Sequence, residues 1–249
     1  MHSNPIKLII LFVIIYQISP IAAQSRFKAG IAAGLNFSQI NGDNHNGYNK
    51  IGPSIGIKGG FNLADNIDIS TELFYNSTGA KPSRDDLTLN AKFRYMPTID
   101  LQKADMLIIS NFYHKLKPSD EYYKIGLQIG FSYGRLLRSK TEITQYLNPV
   151  PTIADYLNKN YKNSDFGFIF GCSYFFTPRL WASIRHTFSL NKLYQQPDSK
   201  LTVDEVGDFK SFQPYFISCH LFYNFIMPKV KAAEKVEKKK KEVNPLERL

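Results

Sequence analysis

From Phe27 to Phe37 every odd position is apolar (Phe27, Ala29, Ile31, Ala33, Leu35, Phe37), and the even positions are Lys28, Gly30, Ala32, Gly34 and Asn36. Successive side chains of an extended strand point to opposite faces, so this spells a strand with one bulky apolar face and one small or polar face. The pattern recurs. Tyr123, Ile125, Leu127, Ile129, Phe131 and Tyr133 alternate with Lys124, Gly126, Gln128, Gly130 and Ser132, and Phe166 to Phe176 alternates with Gly167, Ile169, Gly171 and Ser173. Period-2 reading places eight strands near residues 26–40, 52–62, 67–78, 104–116, 121–138, 164–176, 179–190 and 212–227. Met106 to Ile109 is apolar on both faces, which makes the fourth the least sharply bounded.

The connections alternate in length. Short turns fall at Ala64-Asp65-Asn66, Lys117-Pro118-Ser119-Asp120 and Thr177-Pro178, whereas residues 41–51, 79–103, 139–163 and 191–211 form long polar segments. An even number of strands, with every long loop at one end, is the pattern of a transmembrane β-barrel: short periplasmic turns, long outer loops and both termini inside. Segments of about 10 residues cross a bilayer when tilted. Closure is required because lipid offers nothing to satisfy a free sheet edge. Periodicity alone does not say which face is outside, and a soluble lipocalin-like barrel would turn its apolar face inward. The glycine-rich second face suits the narrow interior of eight strands, and together with the loop asymmetry it favours the membrane version. Tyr and Phe (15 and 19 residues) in a chain of slightly negative mean hydropathy then become lipid-facing side chains and interfacial girdles.

The first 23 residues read as an export signal. Lys7 supplies charge, Ile6 to Tyr16 form a short apolar stretch, and Pro20-Ile21-Ala22-Ala23-Gln24 offers small residues for cleavage near Ala23/Gln24. The expected organisation is a signal peptide over 1–23, an outer-membrane barrel over 24–227, and a Lys-rich periplasmic tail over 228–249. The tail, basic around Lys238, Lys239, Lys240 and Lys241, reads as disordered or transiently helical. Cys172 and Cys219 fall on the lipid face of the sixth and eighth strands. Two interstrand spacings of about 4.8 Å separate them, beyond the reach of a disulfide, so two free thiols are expected.

Gly30-Ile31-Ala32-Ala33-Gly34-Leu35-Asn36-Phe37-Ser38, followed by Gly42-Asp43 and Gly47-Tyr48-Asn49-Lys50, resembles the Bacteroidota outer-membrane β-barrel family, described as PorT-like or porin-family. Glu72-Leu73-Phe74-Tyr75 and Ile184-Arg185-His186-Thr187-Phe188 continue the likeness, which spans the mature chain to about Met227. It implies outer-membrane location and an eight-stranded barrel. One branch of the family is tied to type IX secretion, but no branch-specific motif is present, and the charged tail and expanded second loop depart from the family pattern.

The alternation turns Lys28, Lys58, Glu72, Lys124, Gln128, Arg185 and His220 inward, with Glu72 and Arg185 the pair of interest. Mutual neutralisation that fills a narrow lumen is one reading; a positively lined pore or ligand site is the other. Asp43, His45, Asp85, Asp86, Asp155 and Asp165 lie in or around the outer loops without a Ser or Cys nucleophile motif, so they read as polar loop decoration. No phosphate loop or metal-ligand spacing occurs, and no cofactor is expected. Export argues against a nucleic-acid partner despite the formal charge of +10. The expectation is a non-enzymatic barrel, a structural or interaction platform of the envelope. Its partners would be outer-membrane lipid and an envelope protein met through the loops or the basic tail. A narrow small-solute pore and an accessory role in a type IX secretion or gliding machine stay open.

Overall fold

The computed structural model describes residues 26–44, 47–83, 96–145, 148–149, 151–196 and 209–227. The expected signal peptide, His45, Asp85, Asp86 and the tail with Lys238, Lys239, Lys240 and Lys241 lie outside these. Eight principal strands are β1 (Phe27–Asn41), β2 (Lys50–Ala64), β3 (Ile67–Ala80), β4 (Met96–His114), β5 (Ile125–Gln145), β7 (Ser164–Phe175), β8 (Leu180–Ser189) and β10 (Ser211–Ile226). Two short pairs, β6 (Asn148–Pro149) and β9 (Tyr194–Gln195), and one helix, α1 (Pro151–Lys159), lie in the third and fourth long connections.

Each principal strand pairs antiparallel with its neighbour in the sequence, and β10 returns to pair with β1, from Ala29↔Ile226 to Asn41↔Gln213. The sheet is a closed ring without an edge. Burial follows the alternation. Ile31, Leu35, Ile55, Ile57, Leu73, Ile108, Leu127, Phe131, Ile184 and Leu221 point outward and are exposed, while Asn36, Ser54, Glu72, Asn111, Gln128, Ser183 and Ser218 point inward and are buried. The order of a water-soluble core is inverted, and the apolar wall finds its partner only in lipid tails. Cys172 and Cys219 are free and exposed on this wall, each opposite Ile184 of the intervening β8.

Close backbone approach is what the inner glycines permit. A Cβ at Gly34 would strike the carbonyl oxygen of Cys219, and one at Gly130 the carbonyl oxygen of Ile108. Gly79, at φ 142°, holds a conformation other residues rarely adopt, with Ile99 packed against it.

Two boundaries differ from the sequence reading. β4 begins at Met96 rather than near 104, and β5 runs on to Gln145. At 21 residues and about 3.3 Å each, β5 is about 70 Å long, so the β4–β5 hairpin stands well clear of the bilayer. The pairing slips between Gln102 and Lys103, where β5 carries one extra residue, Leu137. A one-residue bulge exchanges the faces of everything beyond it. Gly126 to Leu136 face inward on even positions, whereas Thr141 and Ile143 face inward on odd ones.

Above the ring, α1 closes the loop end. Pro151 suits the first helical position, where an amide hydrogen would go unused. Ile153, Ala154 and Leu157 share the buried face and pack into a cluster with Ile40, Ile99, Leu101, Ile143, Tyr161, Leu193, Tyr194, Phe209 and Phe212. Among the described residues no helix is long and apolar enough to cross a membrane.

Candidate functional site

The strand alternation aims a column of charged and amide side chains into the lumen. Nearest the short turns, the Lys28 ammonium meets Asp68 at 2.7 Å. Asp68 also accepts from Asn111 Nδ2 at 2.5 Å and from the Tyr113 hydroxyl at 2.7 Å. At mid-height the Arg185 guanidinium grips Glu72 with two parallel bonds of 2.5 and 3.1 Å, and Lys58 stands 3.6 Å from the same carboxylate. Gln128 links the layers: its oxygen accepts from Arg185 Nε at 2.9 Å and its nitrogen donates to Asn111 Oδ1 at 2.7 Å. Glu72 and Arg185 are 0% and 1% exposed, so a lone charge at either position would be severely penalised.

Aromatic rings pack the rest of this layer. Lys58 Nζ lies 4.7 Å from the centre of the Trp181 ring and Arg185 Cζ 4.9 Å from that of Phe222, and the two rings stack at 3.9 Å. Both cations therefore meet the negative face of a π-system as well as a carboxylate.

Towards the loops a second network forms. Lys103 bonds Asp165 at 2.6 Å, Ser189 donates to the other oxygen of Asp165, and Asn76 donates to Asp105 at 2.6 Å. Asn36 donates to Asn76 Oδ1 at 3.0 Å and accepts from Ser218 at 2.8 Å. Among the described residues, the paired charges of the lumen are four cations (Lys28, Lys58, Lys103 and Arg185) and four carboxylates (Asp68, Glu72, Asp105 and Asp165), a neutral balance. Above it sits the loop-end cluster, where Tyr161 and Thr141 share a hydrogen bond of 2.8 Å. Burial raises the Tyr161 phenol and pushes that of Tyr194 up to about 12.

Of the residues expected inside, Lys28, Lys58, Glu72, Gln128, Arg185 and His220 share this interior. Lys124 does not. Its backbone ends the ladder, donating to His114 and accepting from Phe175, but the residue is only half-buried, with its ammonium 3.7 Å from the centre of the Tyr122 ring. Among the described residues, Asp68, Lys103, Asp105 and Asp165 complete the set, which favours mutual neutralisation over a positively lined pore. Asp68 sits in phase with Glu72 on β3 and Lys103 in phase with Asp105 on β4; that phase was the available signal. Asp165, read as a loop acid, turns inward as the second residue of β7. Of the other loop acids, Asp43 is buried and accepts from Gln39 at 3.1 Å, and Asp155 is exposed on α1.

One pair has the outline of a hydrolytic dyad. The Ser54 hydroxyl lies 2.8 Å from His220 Nε2. It also donates to Asn76 Oδ1 at 2.6 Å, and a hydroxyl has one proton to give, so His220 is not placed to remove it. His220 Nδ1 has no hydrogen-bond partner, leaving no third group to orient the ring. Among the described residues no three His, Cys, Asp or Glu side chains are grouped as a metal site.

A closed antiparallel ring, apolar outside and polar within, defines a transmembrane β-barrel of the outer-membrane kind. The chain belongs to the outer membrane protein beta-barrel domain family, which it matches over residues 22–195. No curated protein matches the sequence. Among solved structures it is similar to Ail, the attachment invasion locus protein of Yersinia pestis, at 10% identity and TM-score 0.39, over 80% of this chain and 99% of that one. Neisserial surface protein A is similar at 14% identity and TM-score 0.39, covering 80% and 97%. The outer membrane protease OmpT of Escherichia coli follows at 11% identity and TM-score 0.28, covering 81% and 97%.

Proposed function

We propose that the chain is a non-catalytic barrel of the outer membrane whose lumen is shut, and that it serves as a structural or interaction platform of the envelope. The carrying observation is the interior. Four cations and four carboxylates neutralise one another across it, stacked rings fill the mid-layer, and the α1 cluster caps the loop end. A conducting pore needs charged groups facing water, not each other. The Ser54–His220 geometry supports the non-catalytic reading.

In this reading the short turns face the periplasm, the signal segment is removed near Ala23/Gln24, and the long loops meet the outside. The β1 motif from Gly30 to Ser38 supports a place near the PorT-like barrels of Bacteroidota. Planar-bilayer recording of the full mature chain tests the closed lumen: a quiet membrane is expected. Reproducible unit conductance would overturn it in favour of the small-solute pore. Affinity capture from native membranes with and without residues 228–249 tests the tail as an adaptor for a secretion or gliding assembly; partners that persist without it defeat that role.

A further inference from the structure

Above Tyr133 the outer wall of β5 becomes largely cationic, with exposed Leu137 set among Arg135, Arg138 and Lys140. Below that point it is apolar and aromatic, with Tyr133 tilted against Phe166 (ring centres 5.1 Å apart) and Phe131 edge-on to Phe168 (5.5 Å). Two residues further, about 7 Å along the strand, stands Arg135, exposed and outward. Arg138 comes next. In a regular strand residues three apart face opposite sides, so Arg138 would enter the barrel. The Leu137 bulge turns it outward instead, on the same wall as Arg135. Lys140 continues the row, and a dent of about 160 Å³ between Asp100, Gln102, Arg138 and Lys140 opens beside it.

Among the described residues these arginines lack counter-ions. Asp100 pairs with Lys50, Glu142 pairs with Lys140 at 2.6 Å, and Asp155 is exposed on α1. Among the described residues no carboxylate lies within 4.0 Å of Arg135 or Arg138. Two uncompensated guanidinium groups directly above an aromatic, lipid-facing stripe form an amphipathic address. Guanidinium forks match phosphate oxygens, and the stripe beneath matches acyl chains.

We propose that the bulged wall of β5 is a docking site for an anionic lipid with a phosphomonoester headgroup, in the leaflet at the loop end. Arg135 and Arg138 clasp the headgroup phosphate, the dent admits its polar remainder, and the chains lie along Tyr133, Phe131, Phe166 and Phe168. The site rests on the barrel's being membrane-spanning and is independent of whether the lumen conducts.

The full chain in phosphatidylcholine nanodiscs, doped with bisphosphorylated lipid A, tests this by native mass spectrometry of the released barrel. Retained lipid A is expected on the unmodified protein, weakened about fivefold by R138Q alone and about thirtyfold by R135Q with R138Q. Heat-modifiable mobility in gels verifies that each variant is folded, and both positions are exposed, so folding is expected to survive. Equal retention by the folded double variant would overturn the proposal. So would equal retention of zwitterionic phosphatidylethanolamine, or displacement of the lipid by millimolar inorganic phosphate, which would identify a free-anion site.

Discussion

Arg185 ties the mid-height layer together, because it contacts Glu72, Gln128 and the Phe222 ring at once. Removing one partner of a buried pair leaves the other unpaired at a cost of about 3–5 kcal/mol. Arg185→Ala is expected near the lower end, since Lys58 still stands 3.6 Å from Glu72, and adding Glu72→Gln should deepen the loss, because buried Lys58 would then lose its carboxylate as well. Urea unfolding in lipid vesicles reads both; an undiminished midpoint for Arg185→Ala would refute the network's role. Gly79→Ala should cost about 1–3 kcal/mol, since the left-handed φ and the adjoining Ile99 carbonyl both oppose a methyl group. At this scale the sequence was readable wherever strand phase was secure. Glu72 and Arg185 could be set facing one another by counting, and so could Asp68, had the even positions of β3 been followed back two steps. Lys124 was misplaced because, at the very end of the strand, its backbone still bonds His114 and Phe175 while its side chain lies against the Tyr122 ring.

The β4–β5 hairpin and α1 were the least legible elements, for a shared physical reason. Above the bilayer a strand no longer needs an apolar outer face, so Gln102, Arg138 and Lys140 resemble loop residues although they are paired in the sheet. The bulge at Leu137 then breaks the period from which the strand would be recognised. Within α1 only three apolar side chains in nine residues mark the buried face, too few to stand out in a polar connection. The packing they join makes a pH-dependent prediction. An unfolded tyrosine loses its proton near pH 10, whereas buried Tyr194 holds its own until about 12, with Tyr161 displaced in the same direction. Stabilisation of the cap is therefore complete below pH 10 and is lost as pH rises through about 12. Phenolate absorbance together with protease nicking of the loops should show the cap loosening in that window while the lipid-embedded strands stay protected.

For the molecule as a whole, the cap and the charge network act in series. Ile153→Asp with Leu157→Asp should loosen the loop end yet leave planar bilayers silent, because the Lys58–Glu72–Arg185 layer still spans the lumen. Channel activity from that double variant would show that the cap alone closes the barrel. The architecture was the most legible level of all. Eight strands, their faces and the two unequal ends follow from alternation and loop length, because a bilayer imposes both on every strand at once. What the alternation could not reveal was electrical neutrality, which depends on four carboxylates meeting across strands distant in sequence.

The pairing of β10 with β1 sets when this protein can come into being. Gly30 and Asn224 are partners, yet nearly the whole chain separates them, and β10 lies beyond the segment that matches the family. Until that final strand arrives, two rows of unsatisfied amides and carbonyls face their surroundings, and no intermediate of seven strands can rest in lipid. Insertion must therefore wait for the last part of the chain to be made. A ribosome that stops short of Ser211 would leave not a smaller barrel but an unclasped sheet for envelope proteases to clear.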